Sequence, residues 1–300
     1  MSPQKINWLL FSTLVFMWGT SFLFTAIAVA DFSAIQVSSL RIGLGAIILT
    51  IAVFFKGKRL PWDIKSWTAF FILGLLGNAL PFFLISWGQL SISSGTTGVL
   101  MTFMPIMTIL LAHFFVENER LNKFKLIGCV ISFAGVALLL GPQFDGSGSL
   151  IAQLAVFTAA TCYALQTIVI RLLPKFDPLV AGAGMLISAS ILSLPLAISS
   201  GFANIDQVSY LSLSAIIWLG IVPTGIASIL FFLLVARTGP SFISNVNYVI
   251  PVVAFFSGIL FLDEPLTSSN FIAVAIILAG VATTRKPVKT ICRQSQSSHL

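Results

Sequence analysis

The chain has 300 residues, 57% of them hydrophobic and 8% charged, with a formal net charge of +7. A soluble domain keeps about a quarter of its residues charged, so this composition excludes a water-soluble globular fold and makes lipid the solvent. Its long apolar runs are continuous and do not alternate with polar residues, which excludes an outer-membrane barrel.

Runs long enough to cross a hydrocarbon core of about 30 Å as helices follow one another along the sequence. They predict ten spans: Trp8–Val29, Ser33–Phe55, Trp67–Gly88, Gly95–Val116, Lys123–Leu140, Leu150–Leu173, Leu179–Ser199, Leu211–Val235, Ser241–Leu262 and Asn270–Thr284. The fold class expected is therefore an all-α polytopic membrane protein. The first run resembles a secretory leader, with Lys5 before it and "AVA" ahead of Asp31. It is longer than a leader's apolar core, and Trp18-Gly19 interrupts it, so it is read as a retained helix. The residues after Arg285 are rich in Ser and Gln and are expected to be disordered. Cys129, Cys162 and Cys292 form neither a disulfide framework nor a metal-ligand pattern.

Charge sets the expected orientation. With both termini cytoplasmic, the inner loops receive Lys56, Lys58, Arg59, Lys65, Arg120, Lys123, Lys125, Arg171, Lys175 and Arg237. The outer loops receive Asp31, Asp145, Asp206, Asp263 and Glu264, and no Lys or Arg. This is the positive-inside bias of multi-pass proteins. It accounts for the net charge without a nucleic-acid partner.

A phrase recurs along the chain. "FVENERLNKFKLIGCVISFAGVAL" begins at Phe115, and "FLDEPLTSSNFIAVAIILAGVAT" begins at Phe261. Glu119 and Glu264 stand 145 residues apart, as do Gly135 and Gly280, while Pro105 and Pro251 stand 146 apart. The sequence thus predicts two five-helix repeats, 1–145 and 146–285, with 286–300 as a cytoplasmic tail. Five spans is an odd number, so the second repeat starts from the opposite side of the membrane. Inverted repeats of this kind build many secondary transporters. The competing reading is that Gly128, Ser132, Ala275 and Ala279 merely let helices pack closely.

These features, together with "WGTSF" at Trp18–Phe22, "LRIGLGAI" at Leu40–Ile47, "NERL" and "DEPLT", resemble the EamA branch of the drug/metabolite transporter superfamily over nearly the whole chain. The resemblance implies a pseudosymmetric ten-helix bundle that moves small metabolites, often outward; short loops and a retained first helix suit a bacterial cytoplasmic membrane, with an organellar membrane as the alternative. The resemblance specifies no cargo.

Candidate working residues follow from the cost of polarity in hydrocarbon. Pro81, Pro105, Pro223 and Pro251 each remove a helix hydrogen bond, and the freed carbonyls must face protein or a water-filled cavity. They are read as helix breaks beside a central site, or as packing kinks. Asn78, Ser86 and Trp87 lie in span three, Thr97 and Thr102 in span four, and Tyr163, Gln166 and Thr167 in span six. Thr224 and Ser228 lie in span eight, and Asn245, Asn247 and Tyr248 in span nine. As a group they predict a polar cavity for an uncharged or zwitterionic solute; singly, each is also read as an interhelical hydrogen bonder. Asn245 and Tyr248, three apart, are expected to share a face. Trp18 lies mid-span, away from the interface where Trp anchors, and is read as a cavity or gate residue.

Arg41 is the one charge well inside a span, about 12 Å deep at 1.5 Å per residue. Helix carbonyls, Asp31 reached by snorkelling and a substrate carboxylate are its possible partners, and a structural role is the expectation. His113 and Glu117 share a face at an inner helix end and are read as solvated. The function expected is secondary transport of small polar metabolites, with amino acids or related compounds foremost, in the outward direction. Export or flipping of toxic or lipid-linked compounds is the alternative. An intramembrane enzyme would need a paired-carboxylate, zinc or activated-nucleophile set, and none is seen. No cofactor or metal is expected. The partners expected are a small-molecule substrate and the bilayer, with the chain a monomer or weak homodimer.

Overall fold

The computed structural model describes residues 2–88, 91, 97, 100–117, 121–140, 150–201, 208–250, 252–253 and 268–284. Among them every element is helical. The expected Pro251 break, the "NERL" and "DEPLT" turns and the 286–300 tail lie outside the described residues.

The helices are α1 (Pro3–Ala28), α2 (Ala34–Phe55), α3 (Ile64–Gly88), α4 (Phe103–Phe115), α5 (Lys123–Leu140), α6 (Leu150–Leu172), α7 (Pro178–Ser199), α8 (Tyr210–Thr238), the short turn α9 (Pro240–Ile243) and α10 (Ser268–Thr283). Of these, α1, α2, α3, α6, α7 and α8 are long and apolar enough to cross a membrane; α4 and α10 are shorter apolar helices. The outward faces carry Phe54, Leu154, Ile191 and Leu213, all exposed. Apolar surface on this scale is untenable in water and natural against lipid.

Turn chemistry fixes the helix ends. Pro3 and Pro178 occupy first-turn positions, where a missing N–H removes nothing. Ser2, Asp63, Asp177 and Ser209 accept hydrogen bonds from backbone N–H groups of the helices that follow them, supplying acceptors to donors that lack intrahelical partners. The loop contacts sort into two ends. Lys58 pairs with Asp177 at 2.5 Å, Arg237 donates to Asn7 at 2.6 Å and Lys125 donates to Ser241 at 3.3 Å at one end. At the other, Asp31 accepts from the Ser209 backbone N–H and hydroxyl at 3.0 and 2.7 Å. Those hydrogen bonds hold the Asp31 carboxyl below its usual range.

Asp177 has two tasks, since it also accepts from the Leu179 and Val180 N–H groups at 3.1 and 3.3 Å. Partial burial raises its pKa, but the Lys58 ammonium and the two N–H groups outweigh burial and leave it below the usual 3.8. A lowered folded-state pKa contributes stability that is present above the unfolded value and lost as pH falls through the folded one. The exposed ion pair itself is worth little. Asp177→Ala is therefore expected to cost about 1 kcal/mol by loss of the cap, and Asp177→Asn, which retains a capping oxygen, much less. Thermal unfolding in detergent at neutral pH distinguishes the two.

Two helices widen midway into π-turns: Leu75–Ala79 within α3 and Gly220–Ile226 within α8. Their first residues are 145 positions apart. Pro223 sits inside the second and Pro81 just after the first, so each lies where a proline lacks the N–H for a regular ladder. Pro105 is a different case. Thr102 is a turn residue and α4 starts at Phe103, which places Pro105 in the first turn rather than mid-helix.

Close backbone approach joins α5 to α10. A β-carbon on Gly128 would lie 2.6 Å from the Gly280 carbonyl oxygen, and one on Gly280 would lie 2.7 Å from that of Gly128. Gly135 meets the Ala273 carbonyl in the same way, at 3.0 Å. As the residue number rises on α5 it falls on α10, so the pair is antiparallel. The Ser132 hydroxyl donates to the Ile277 carbonyl at 3.2 Å, across a separation of 145 residues. The α10 packing face is Ala273, Ile277 and Gly280. Ala275 and Ala279 are exposed and do not serve the packing expected of them.

Candidate functional site

A cavity of about 150 Å³ opens between the helices. Trp18, Ser21 and Thr25 of α1 face it, as do Val37, Ser38 and Arg41 of α2 and Asn78, Phe82 and Ser86 of α3. The remaining wall comes from Gly77 and Ile85 of α3, Met101 and Met104, Tyr163 and Gln166 of α6, Met185 of α7, Pro223, Thr224, Ser228 and Phe231 of α8, and Asn247 and Ile250.

Small residues let the polar groups meet. Gly45 and Gly220 bring α2 against the π-turn of α8, where a β-carbon on Gly220 would lie 2.5 Å from Leu44 Cβ. Across this close approach Arg41 Nε donates to the Thr224 hydroxyl at 3.0 Å. The guanidinium carbon stands 4.2 Å from the Phe82 ring centroid, a cation–π distance. Arg41 is 7% exposed, and among the described residues no carboxylate pairs with it. Asp31 is held by Ser209 instead, so Arg41 does not snorkel to it.

Each π-turn is touched by a side chain from a distant helix. Trp18 Nε1–H donates to the Pro223 carbonyl at 3.1 Å, and its ring meets Phe231 at 5.7 Å. Gln166 donates to the Leu73 carbonyl at 3.3 Å and contacts Met185 Sδ at 3.1 Å. Gly77 leaves the room in which the Gln166 amide sits. Asn78 is 5% exposed, and among the described residues its Oδ1 has no hydrogen-bond partner. Ser38 and Ser86 approach at 3.5 Å. Asn247 reaches Met104 Sδ at 2.8 Å.

The structure thus gathers Trp18, Arg41, Asn78, Ser86, Tyr163, Gln166, Pro223, Thr224 and Asn247 of the expected residues around one space. Others lie elsewhere. Trp87 is 40% exposed on the outer side of α3, one position beyond Ser86 and so about 100° around the helix. Thr97 is fully buried and outside the wall. Asn245 and Tyr248 do share a face, but it turns away from the cavity. Asn245 donates to the Ser241 carbonyl and to Thr284 at 3.1 and 3.3 Å, and Tyr248 packs among Cys129, Ile109 and Ile277. Asn247 and Ile250, also three apart, face the cavity instead. His113 Nδ1 accepts the Leu121 N–H at 3.2 Å.

Ser21, Thr25, Ser38 and Phe82 were not anticipated. Periodicity carried the signal: Ser21 and Thr25 follow Trp18 at helical spacing, Ser38 precedes Arg41 by three, and Phe82 follows Asn78 by four. Ser21 also stands 145 positions before Gln166, as Trp18 does before Tyr163.

An all-helical, lipid-faced fold around a central cavity with polar groups defines the class of multi-pass membrane transporters. The EamA-like transporter family model matches residues 6–141 and again 150–285, and the chain belongs to that family. An uncharacterized transporter of Archaeoglobus fulgidus is 26% identical, over 92% of this chain and 97% of its own. The uncharacterized transporter YoaV of Bacillus subtilis is 24% identical, over 88% and 91%. A probable terminal-alkyne amino-acid exporter of Streptantibioticus cattleyicolor is 23% identical, over 99% and 98%. One solved crystal structure shares the fold with a TM-score of 0.78 at 21% identity, covering 94% of this chain and 96% of that one.

Proposed function

We propose that this protein is a secondary transporter that exports small polar metabolites, amino acids or related compounds, by alternating access around the central cavity. One observation carries the reading: both halves furnish the cavity wall from matching positions. Trp18 and Tyr163, Ser21 and Gln166, and Asn78 and Pro223 all face it, each pair 145 residues apart. Such pairing is what two inverted five-helix repeats, 1–145 and 146–285, produce around a shared site. The double match of the family model and the reciprocal Gly128–Gly280 contact support the same arrangement. The sorting of Lys58, Lys125 and Arg237 to the end opposite Asp31 supports cytoplasmic termini. A bacterial cytoplasmic membrane and a monomer or weak homodimer complete the proposal.

The test is flux in proteoliposomes loaded with labelled amino acids, sugars and nucleosides, with and without a proton gradient. Saturable movement of amino acids is expected. Folded protein that moves none of the three classes would refute the reading. Within that assay, Trp18→Phe keeps the ring against Phe231 but removes the donor to the Pro223 carbonyl. It is expected to slow turnover by about tenfold, the value of one buried hydrogen bond, with insertion unchanged. Asn245→Ala, outside the cavity, is expected to lower thermal stability and leave substrate KM within about twofold.

A further inference from the structure

We propose that the cavity is an α-amino-acid site in which Arg41 takes the carboxylate and Asn78 Oδ1 accepts from the ammonium, so that the same guanidinium turns away solutes of net positive charge. This rests on the transport reading above and adds the recognition chemistry to it.

Arg41 is furnished for more than a helix contact. A guanidinium has five N–H donors in a rigid fork, and among the described residues only Nε is engaged, with Thr224. The Phe82 ring, its centroid 4.2 Å from the guanidinium carbon, holds the group by a cation–π contact while offering it no further acceptor. Among the described residues no carboxylate neutralises it, and none lines the cavity. A planar cation with unspent donors on the wall of a cavity matches a carboxylate, which can accept two N–H bonds in parallel. A pin between α2 and α8 would need only one donor.

The second polar feature is of opposite kind. Asn78 Oδ1 is a buried acceptor without a donor among the described residues, and its residue lies in the π-turn of α3 facing the cavity. An unpaired buried acceptor is costly, and a ligand N–H relieves it. The rest of the wall includes Ile85, Met101, Met104, Phe231 and Ile250, which suit an apolar side chain. A small zwitterion with an apolar substituent satisfies all three surfaces. A solute carrying only an amine meets Arg41 with no compensating anion in the wall, which is rejection by like charge.

The experiment uses four probes on the purified full-length protein: leucine, 4-methylpentanoate (the acid without the amine), leucine methyl ester (the amine without the acid) and tetraphenylphosphonium. Leucine should raise the unfolding temperature in detergent and move saturably in proteoliposomes, whereas the ester and tetraphenylphosphonium should do neither. Arg41→Gln should raise the leucine KM by about 10- to 100-fold, the worth of a charge-assisted pair, and abolish discrimination against the ester. Arg41→Lys, which keeps the charge without the fork, should weaken leucine yet still exclude the ester; it decides the matter if Arg41→Gln does not fold. Asn78→Ala should weaken leucine and leave 4-methylpentanoate unchanged.

Leucine transport with the same KM and the same ester discrimination in both Arg41 variants would overturn the anchor and leave the transport reading standing. Saturable tetraphenylphosphonium flux in the wild type would overturn the charge filter. If no probe moves in liposomes, the transport reading fails. The anchor is then judged by heat alone: a leucine-induced shift that Arg41→Gln loses sustains it, and a shift that survives, or its absence in the wild type, overturns it.

Discussion

Gly280→Val is expected to yield almost no folded protein. Its β-carbon would lie 2.5 Å from the Ser132 backbone nitrogen and 2.7 Å from the Gly128 carbonyl oxygen. Both neighbours are main chain, so no rotamer change relieves the clash and the helices must part. Membrane helices associate through close packing rather than through a hydrophobic drive, so separating them forfeits most of what joins them. Overpacking of a rigid contact costs about 3 kcal/mol or more, and a valine here removes the whole approach. Gly128→Val, which meets the Gly280 carbonyl at 2.6 Å and the Thr284 nitrogen at 2.7 Å, should fail to the same degree. Ala275→Val, exposed on the same helix, should be tolerated. Yield after size-exclusion chromatography and unfolding temperature test all three. Monodisperse Gly280→Val protein with an unchanged unfolding temperature would show that the α5–α10 contact is not close.

Gly77→Ala is expected to do the opposite: it spares the fold and slows transport. The added methyl would occupy the space of the Gln166 amide, lying 2.6 Å from its Oε1 and closer still to its other amide atoms. This neighbour is the end of a flexible side chain, so Gln166 swings aside and gives up the Leu73 carbonyl and Met185. The cavity then loses a polar wall group at the π-turn, and Leu73 loses a buried donor. Two contacts of about 1 kcal/mol each correspond to a flux reduced by roughly 10- to 30-fold. Gln166→Ala should produce a comparable loss, and the double variant should be no worse than either alone, because both act on one contact. Additive losses would mean that Gly77 matters for another reason.

The sequence displayed the long helices clearly. Lys123–Leu140 is observed as expected, and α2, α6 and α7 match within one residue, because continuous apolar runs bounded by Asp, Ser and Pro leave little choice of ends. Which side of a helix faces inward was harder to read. In an all-apolar span lipid and protein accept the same side chains, so periodicity assigns two residues to one face without saying where that face points. Asn245 and Tyr248 were paired correctly and aimed wrongly for that reason. The π-turns had a proline signal at Pro81 and Pro223 but no signal of width, since a π-turn shifts hydrogen bonds from i→i+4 to i→i+5 and the surrounding helices decide where that happens. Arg41 was visible as an anomaly. Its partners, 183 positions away in Thr224 and on the next helix in Phe82, depend on Gly45 and Gly220 bringing α2 and α8 together.

The α5–α10 contact also says where the molecule can bend. Backbones interlocked at Gly128, Gly135 and Gly280 cannot slide by a helical turn without collision, so this pair is a stiff contact. The compliant parts are α3 and α8, whose ladders are already loosened at Leu75–Ala79 and Gly220–Ile226. Each loosened joint is clasped by one side chain, Gln166 on the first and Trp18 on the second. Under the alternating access proposed above, a rocking stroke would trade one clasp for the other, with the two helix irregularities as its joints and the glycine seam as its axle.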